Sequence, residues 1–197
     1  MKVISIDIGL HGGISVFENG VFIDSKDTPV IKIETKKAKS KLDLVNGKKQ
    51  FFKTGKNKGE AKTIQTSKAK YKLELDIIKI YEIMTSNLSK HSEPEDVTIV
   101  FEAPGTSFGN SAATTATTNR NFGKLLALAE LSGSKIVVVP AHKWKKDLKL
   151  TKDKELCVSF AEKEFNKKFR TERGRLLDGQ AESALIGLWF LKFGNKE

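Results

Sequence analysis

The chain has 197 residues, of which 39% are hydrophobic and 30% are charged, and this composition is typical of one globular domain. Its 35 lysines and arginines outnumber 24 acidic residues, which gives a formal net charge of +11. The single cysteine, Cys157, excludes an internal disulfide and a zinc cluster built on cysteines. Neither a membrane-spanning apolar run nor a signal peptide is recognisable, so we expect a soluble, intracellular protein of the cytoplasm with no membrane partner.

The excess positive charge lies in one lysine-rich segment, residues 36–72. This segment holds thirteen lysines and two acids, so its net charge equals that of the whole chain. A basic balance of this kind favours polyanionic partners, most often nucleic acid. We predict one domain over residues 1–197 with an insertion at about 33–72, which is either a solvated loop or an arm that contacts DNA phosphates. The predicted phosphate contacts are Lys48, Lys49, Lys53, Lys56 and Lys58.

Three antiparallel strands are predicted at the start of the chain. Residues 2–8 alternate between apolar and polar, and residues 12–17 and 21–24 flank an Asn-Gly pair at 19–20. Asn-Gly tolerates the positive φ of a tight hairpin turn. A second Asn-Gly pair, at 46–47, predicts a hairpin within the lysine-rich segment.

The rest of the chain alternates helices with buried strands. Helices are predicted over residues 73–88, around 122–129 with an end at Gly133, over 153–165 and over 177–193, strands over 97–103 and 135–139, and a basic loop over 167–175. This order predicts an α/β fold with a mixed central sheet, in which three antiparallel N-terminal strands are followed by parallel strands and helices pack on both faces.

Four acidic residues lie where an apolar core is expected. Asp7 interrupts the first strand, and Glu102 falls at the end of the strand 97–103. Asp178 and Glu182 are four residues apart, so they share one face of the last helix. A buried carboxylate is costly unless it is paired or bound to a metal. A salt bridge to a lysine explains any one of these acids, but their recurrence at strand ends and on an inward helix face favours one shared site.

Carboxylates that converge without histidine or cysteine select hard cations such as Mg²⁺ or Mn²⁺. Two such ions about 4 Å apart activate water and stabilise the leaving oxygen in phosphodiester hydrolysis. An acidic metal site in a basic protein therefore predicts a nuclease.

Four segments follow one another with informative spacing. They are ISIDIG at 4–9 with GGISV at 12–16, VFE at 100–102, VPAHKWK at 139–145 and DGQAESALIG at 178–187. Taken together, they resemble the RuvC-type Holliday-junction resolvases of the ribonuclease H-like superfamily, and the phage and viral branch in particular. The resemblance covers nearly the whole chain except the lysine-rich segment.

The resemblance implies a ribonuclease H-like fold and an endonuclease that resolves four-way DNA junctions in recombination or replication. Asp7, Glu102, Asp178 and Glu182 are then catalytic ligands of two Mg²⁺ ions, for which Mn²⁺ substitutes. Two symmetric cuts imply a homodimer, with the helix 73–88 as one candidate surface. The bacterial members typically place their last two acids three residues apart, whereas four separate them here, which makes Glu182 the safer ligand of the two.

The resemblance also implies roles outside the acidic cluster. Lys154 corresponds to a catalytic basic residue near the scissile phosphate, and Phe108 to an aromatic residue that stacks on an unpaired base at the junction centre. Lys143, Lys145 and Lys146 are predicted to contact DNA. The alternatives are a surface lysine at the start of a helix for Lys154 and a plain loop hydrophobe for Phe108.

Other functions stay open at this point. One alternative is a related nuclease of the superfamily that cuts the RNA of an RNA–DNA hybrid or another form of branched DNA. A non-catalytic nucleic-acid-binding protein explains the positive charge but not the acids within strands. A sugar-kinase or actin-like phosphotransferase shares the opening strand and hairpin, but 197 residues leave no room for its second domain.

Overall fold

The computed structural model describes residues 1–36, 39–42, 44–45, 48–51, 53–54, 56–86, 96–105 and 111–194. The chain divides into two compact units. The sheet unit comprises Met1–Pro29 with Leu75–Glu197, and the ribbon unit comprises Val30–Glu74. No helix in the described ranges combines the length and the apolar character that crossing a membrane requires.

The described residues form strands and helices in the following order. The strands before the first helix are β1 (Lys2–Ile6), β2 (Gly13–Glu18), β3 (Val21–Asp27), β4 (Val30–Lys36), β5 (Lys39–Leu42), β6 (Leu44–Val45), β7 (Lys48–Lys49), β8 (Thr63–Ser67) and β9 (Lys70–Leu75). Then come α1 (Ile77–Ser86), β10 (Val97–Glu102), α2 (Ala112–Leu131), β11 (Lys135–Val139), α3 (Ala141–Asp147), α4 (Lys154–Phe165) and α5 (Asp178–Phe193).

A five-stranded sheet forms the centre of the sheet unit, with the strand order β11-β10-β1-β2-β3. The pairs β1–β2 and β2–β3 are antiparallel, whereas β1–β10 and β10–β11 are parallel. This topology confirms the predicted α/β fold class. Ile6 lies opposite Phe101, and Glu102 lies opposite Val139. The C-terminal ends of β1, β10 and β11 therefore meet at one side of the sheet, which we call the carboxyl edge.

Helices cover both faces of the sheet because its central strands are apolar on both sides. Ile4 and Ile6 pack in a core with residues of α1 and α2, while Val3 lies in a second core with residues of α4 and α5. Successive residues of a strand point to opposite faces. The backbone N–H of Asp7 still donates to the carbonyl oxygen of Gly13 at 3.0 Å, so the alternation extends one residue beyond β1 and assigns Asp7 to the α5 face.

Helix α1 is shorter than the helix predicted over residues 73–88. It begins at Ile77, because the preceding residues form β9. Leu73 and Leu75 alternate with charged residues there, which is the period of a strand. The predicted start at residue 73 is therefore wrong, and the predicted end at residue 88 lies outside the described residues.

Helix α3 is not predicted by the sequence. It has seven residues and begins directly after Pro140, and its buried residue is Trp144. Two turns are too short for a helical apolar period to show, so the pattern that revealed the longer helices is missing here.

The ribbon unit consists of nested strand pairs, β4 with β9, β5 with β8 and β6 with β7. The last two pairs are antiparallel, with Val45 opposite Lys48. The Asn-Gly pair at 46–47 lies outside the described residues, but β6 and β7 pair on either side of it. The five lysines predicted to contact phosphates are all exposed. That this unit is an insertion within a single domain stays a prediction.

Candidate active site

The start of helix α5 lies in close contact with the hairpin that follows β1. Gly12 and Gly179 form an isolated backbone bridge. A Cβ atom on Gly179 would lie 2.2 Å from the carbonyl oxygen of His11, and one on Gly13 would lie 2.4 Å from the carbonyl oxygen of Gly179. Only glycine permits backbones to approach so closely. This contact places Asp178, the first residue of α5, beside the end of β1.

Small polar side chains continue the contact between α5 and the sheet. The hydroxyl of Ser5 donates to the carbonyl oxygen of Ser183 at 2.7 Å. The hydroxyls of Ser15 and Ser183 share a second hydrogen bond of 2.7 Å. All three serines are fully buried. These bonds satisfy the buried hydroxyls and fix the rotation of α5, so that Glu182 lies on the side facing the carboxyl edge.

The electrostatics of Asp7 show that the predicted acids lie near one another. Burial raises the pKa of Asp7 to about 8, with further contributions from the negative charges of Glu182, Glu102 and Asp178, against a smaller opposing effect of Lys145. The four predicted acids thus come from three separate parts of the chain to one region of the carboxyl edge. Their roles as metal ligands stay predictions.

Glu102 is held by a buried tryptophan. The indole Nε1 of Trp144 donates to Oε2 of Glu102 at 2.9 Å, and Trp144 is fully buried. Burial raises the pKa of Glu102, and the negative charge of Glu182 raises it further. The hydrogen bond from Trp144 and the positive charge of Lys145 both oppose this rise. Trp144 therefore both orients Glu102 and favours its ionised form. The sequence gives no signal for this role beyond the Trp-Lys pair.

Two lysines form ion pairs with the acids of α5. Nζ of Lys145 lies 2.7 Å from Oε1 of Glu182, with the two side chains only 17% and 15% exposed. Burial alone would lower the pKa of Lys145. The hydrogen bond to Glu182 and the negative charge of that residue outweigh the effect of burial, so the pKa of Lys145 is raised. Lys154 is paired with Asp178, and this hydrogen bond raises the pKa of Lys154. The cluster thus combines four acids with two cations.

The donor chemistry of the cluster fits a hard divalent cation. Within the described part of the chain, no three Asp, Glu, His or Cys side chains are arranged as a ready-made metal site. Instead, Lys145 and Lys154 pair with Glu182 and Asp178 as their counterions. Burial first, and then the negative charges of the neighbouring acids, raise the pKa of Asp7 to about 8. A divalent cation among the carboxylate oxygens relieves the repulsion between these acids.

A groove of about 1240 Å³ opens next to the end of β10. Its walls are residues 103–105, the first part of α3 and the connection to α4. The lysines that line it are Lys145, Lys146, Lys149 and Lys152. Sequence reasoning missed Lys149 and Lys152, although the density of lysine between residues 143 and 154 is a signal that finds them.

The remaining predicted DNA contacts lie in different places. Lys146 is exposed on the groove, and Nζ of Lys143 lies 5.6 Å from the ring centre of Trp189. Lys145 also lines the groove, but its side chain is only 17% exposed and is paired with Glu182 of the acidic cluster. Phe108 lies outside the described residues.

Stability should respond to pH and to magnesium through Asp7. The pKa of Asp7 is about 8 in the folded chain against an ordinary value of 3.8, so the folded state binds an extra proton between these values. The contribution of Asp7 to the free energy of unfolding is therefore full below pH 3.8. It is lost as the pH rises from there through 8, by at most about 1.4 kcal/mol per pH unit. We expect the free energy of unfolding in EDTA to fall more steeply from pH 5 to 8 in wild type than in Asp7→Asn.

Urea unfolding at several pH values, in EDTA and in Mg²⁺, measures this difference. Magnesium should restore stability at pH 8 in wild type more than in Asp7→Asn, because a ligand stabilises only the state that binds it. If the free energy of unfolding changed with pH in the same way in both proteins, Asp7 would not have the raised pKa that the acidic cluster predicts.

Comparison with known proteins finds similar solved structures, two of which are described here. The sequence matches no protein-family model and no curated protein. The chain is similar to Thermus thermophilus RuvC in complex with Holliday junction substrate, at 11% identity and a TM-score of 0.48, covering 98% of this chain and 97% of that one. It is also similar to a second Thermus thermophilus RuvC structure, at 13% identity and a TM-score of 0.47, with the same coverage. Likeness at this level leaves the activity to be inferred from the side chains of this chain.

Proposed function

We propose that this protein is a metal-dependent endonuclease that resolves four-way DNA junctions. The observation that carries the proposal is the convergence of three carboxylates on a fourth, Asp7. Burial and the negative charges of these three neighbours raise the pKa of Asp7 to about 8. Acids gathered at a sheet edge without histidine ligands are the donor set for Mg²⁺-assisted phosphodiester hydrolysis. The positive charge of the chain supplies attraction for the DNA substrate.

Asp7, Glu102, Asp178 and Glu182 would hold two Mg²⁺ ions, which Mn²⁺ can replace. When bound, such ions lower the pKa of the attacking water and stabilise the departing 3′ oxygen. Trp144 keeps Glu102 oriented and ionised through its 2.9 Å hydrogen bond. The oxygen of a water molecule bonds to the phosphorus while the bond from phosphorus to the 3′ oxygen breaks. The water gives up one proton to solvent and the 3′ oxygen takes one from solvent, which leaves a 5′-phosphate and a 3′-hydroxyl.

The lysines of the cluster have separate roles in this proposal. Lys145, little exposed, orients Glu182 through their 2.7 Å ion pair. The side chain of Lys154 is 64% exposed, so its ammonium is accessible to a phosphate oxygen while it neighbours Asp178. Lys146, Lys149 and Lys152 would contact the phosphates of a strand lying in the groove.

The substrate also determines the expected assembly and setting. A four-way junction is resolved by two symmetric cuts, so we propose a homodimer with two equivalent sites. Such an enzyme acts on recombination or replication intermediates inside a cell, and we propose a cytoplasmic, virus-encoded resolvase.

Cleavage of labelled substrates tests the proposal. A four-way junction, a linear duplex and an RNA–DNA hybrid should be incubated with the wild-type protein in Mg²⁺ and in EDTA. Paired nicks in the junction alone, dependent on Mg²⁺, are the expected result. Preferential cutting of the hybrid or of another branched form would keep the site but change the substrate. Tight binding with no cutting of any substrate would favour a non-catalytic DNA-binding protein.

The ribbon lysines should contribute salt-dependent affinity without sequence preference. We expect simultaneous Lys→Gln substitutions of the five exposed lysines to weaken binding of all DNA forms. Each lost phosphate contact reduces the slope of log K against log salt by about 0.9. Residual cleavage at low salt should remain, because these residues lie outside the acidic cluster. The substituted lysines are Lys48, Lys49, Lys53, Lys56 and Lys58.

Fluorescence anisotropy with labelled junction and duplex, over a series of salt concentrations, gives both slopes. If the slopes equal those of wild type, the ribbon unit does not contact DNA and binds another partner, such as a protein.

A further inference from the structure

The basic segment that the sequence predicts as a loop is an ordered hairpin just before α5. Arg170 and Leu176 form an antiparallel bridge, and the N–H of Thr171 donates to the carbonyl oxygen of Arg175 at 2.9 Å. The N–H of Arg175 donates in turn to the Thr171 hydroxyl at 3.1 Å. Gly174 completes the turn with a φ of +80°, which glycine adopts without strain. We call residues 170–176 the arginine hairpin.

Ion pairs fix the base of the arginine hairpin, and Lys167 just before it, to β3 and α4. Nζ of Lys167 donates to Oδ1 of Asp24 at 2.7 Å. The guanidinium of Arg170 contacts Glu155 at 2.6 Å and Glu162 at 3.2 Å. These two basic residues therefore have a structural role, and their charge is already balanced by acids of the chain.

The other basic side chains of the segment are not balanced in this way. Lys168, Arg173 and Arg175 are exposed, and no acid in the described part of the chain forms an ion pair with them. Glu172, the acid in the turn, is also exposed and leaves this group with a net positive charge. A guanidinium presents a planar fork of donors that suits a phosphate. Because the backbone beneath Arg173 and Arg175 is already ordered, only their side chains lose freedom when an anion binds.

We infer that the arginine hairpin binds DNA phosphates next to the bond that is cut. This inference rests on the proposed function and extends it to a second contact surface. Arg175 precedes Asp178 by three residues, so their Cα atoms are at most about 11 Å apart. Phosphates of one strand advance about 3.4 Å along the helix axis. The hairpin therefore reaches phosphates within a few nucleotides of the acidic cluster.

The test compares neutral variants with a charge-matched control. Arg173→Gln with Arg175→Gln should reduce the salt slope of junction and duplex binding by about 1.8, which is two phosphate contacts. The control, Lys135→Gln with Lys163→Gln, removes the same charge at other positions. Lys135 begins β11, at the end of the sheet opposite the carboxyl edge, and Lys163 lies in the last turn of α4. Its slope should match wild type. Binding is measured by anisotropy in EDTA, so cleavage does not interfere.

The outcomes separate this inference from the proposed function. Arg173→Lys with Arg175→Lys should keep the wild-type slope, because the positive charge remains. An unchanged slope in the glutamine variant, or an equal loss in the control, would overturn the hairpin contact. A reduced slope specific to the hairpin, in a protein that cuts no junction, would support the contact and reject the nuclease.

Discussion

Asp7→Asn should abolish junction cleavage while leaving DNA binding intact or stronger. Asp7 lies at the centre of the acidic cluster, where burial and three neighbouring carboxylates act on it. Substitution of residues that only support metal ligands lowers activity about 10- to 100-fold, so the loss of a ligand should exceed about 100-fold. Below the Asp7 pKa of about 8 the substitution changes little charge, so binding without metal should be kept. Above that pH it removes a negative charge close to the phosphates, which reduces repulsion and favours binding. Cleavage rates in Mg²⁺ and affinities in EDTA measure the two effects separately.

Asp96→Asn is the matched control, since it makes the same chemical change at the other end of β10. Asp96 directly precedes β10, whereas Glu102 ends it. The control should cut at the wild-type rate. If Asp7→Asn kept its activity, or lost binding together with activity, the assignment of the metal site would be wrong.

The sequence predicts the sheet unit well because its strands and helices carry strong local patterns. The turn at Asn19 and Gly20 and the alternation in β1 determine the antiparallel start of the sheet. The failures have local reasons too. At Leu73 and Leu75 an apolar alternation overlaps the beginning of a helical period, and strand pairing with β4 decides between them. Helix α3 is too short for its period to be seen.

The acids of the site are predictable from sequence, whereas their partners are not. An acid in an apolar strand is a local anomaly, so Asp7 and Glu102 are recognisable without a structure. The hydrogen bond from Trp144 to Glu102 and the ion pair between Lys145 and Glu182 join residues about forty positions apart. Such pairs depend on how α3 and α5 pack at the carboxyl edge, and one sequence contains no pattern that reports it.

The geometry of the site should depend on a glycine that has no functional group. We expect Gly179→Ala to destabilise the protein by about 2–4 kcal/mol, in the range of overpacking and backbone displacement. The new Cβ would lie 2.2 Å from the carbonyl oxygen of His11 and 2.6 Å from the carbonyl carbon of Gly12. Both neighbours are backbone atoms and cannot rotate away, so α5 must shift and carry Asp178 and Glu182 with it.

Gly123→Ala is the control, because it lies in helix α2 with nothing within 4 Å of the new Cβ. It should stabilise the protein by about 0.5–1 kcal/mol through helix propensity alone. Urea unfolding gives the free energy of unfolding of both variants. The rise in the urea midpoint on adding Mg²⁺ reports whether the carboxylates still bind the ion together. A Gly179→Ala protein with wild-type stability and wild-type response to Mg²⁺ would show that the close contact of α5 with the first hairpin does not position the acids.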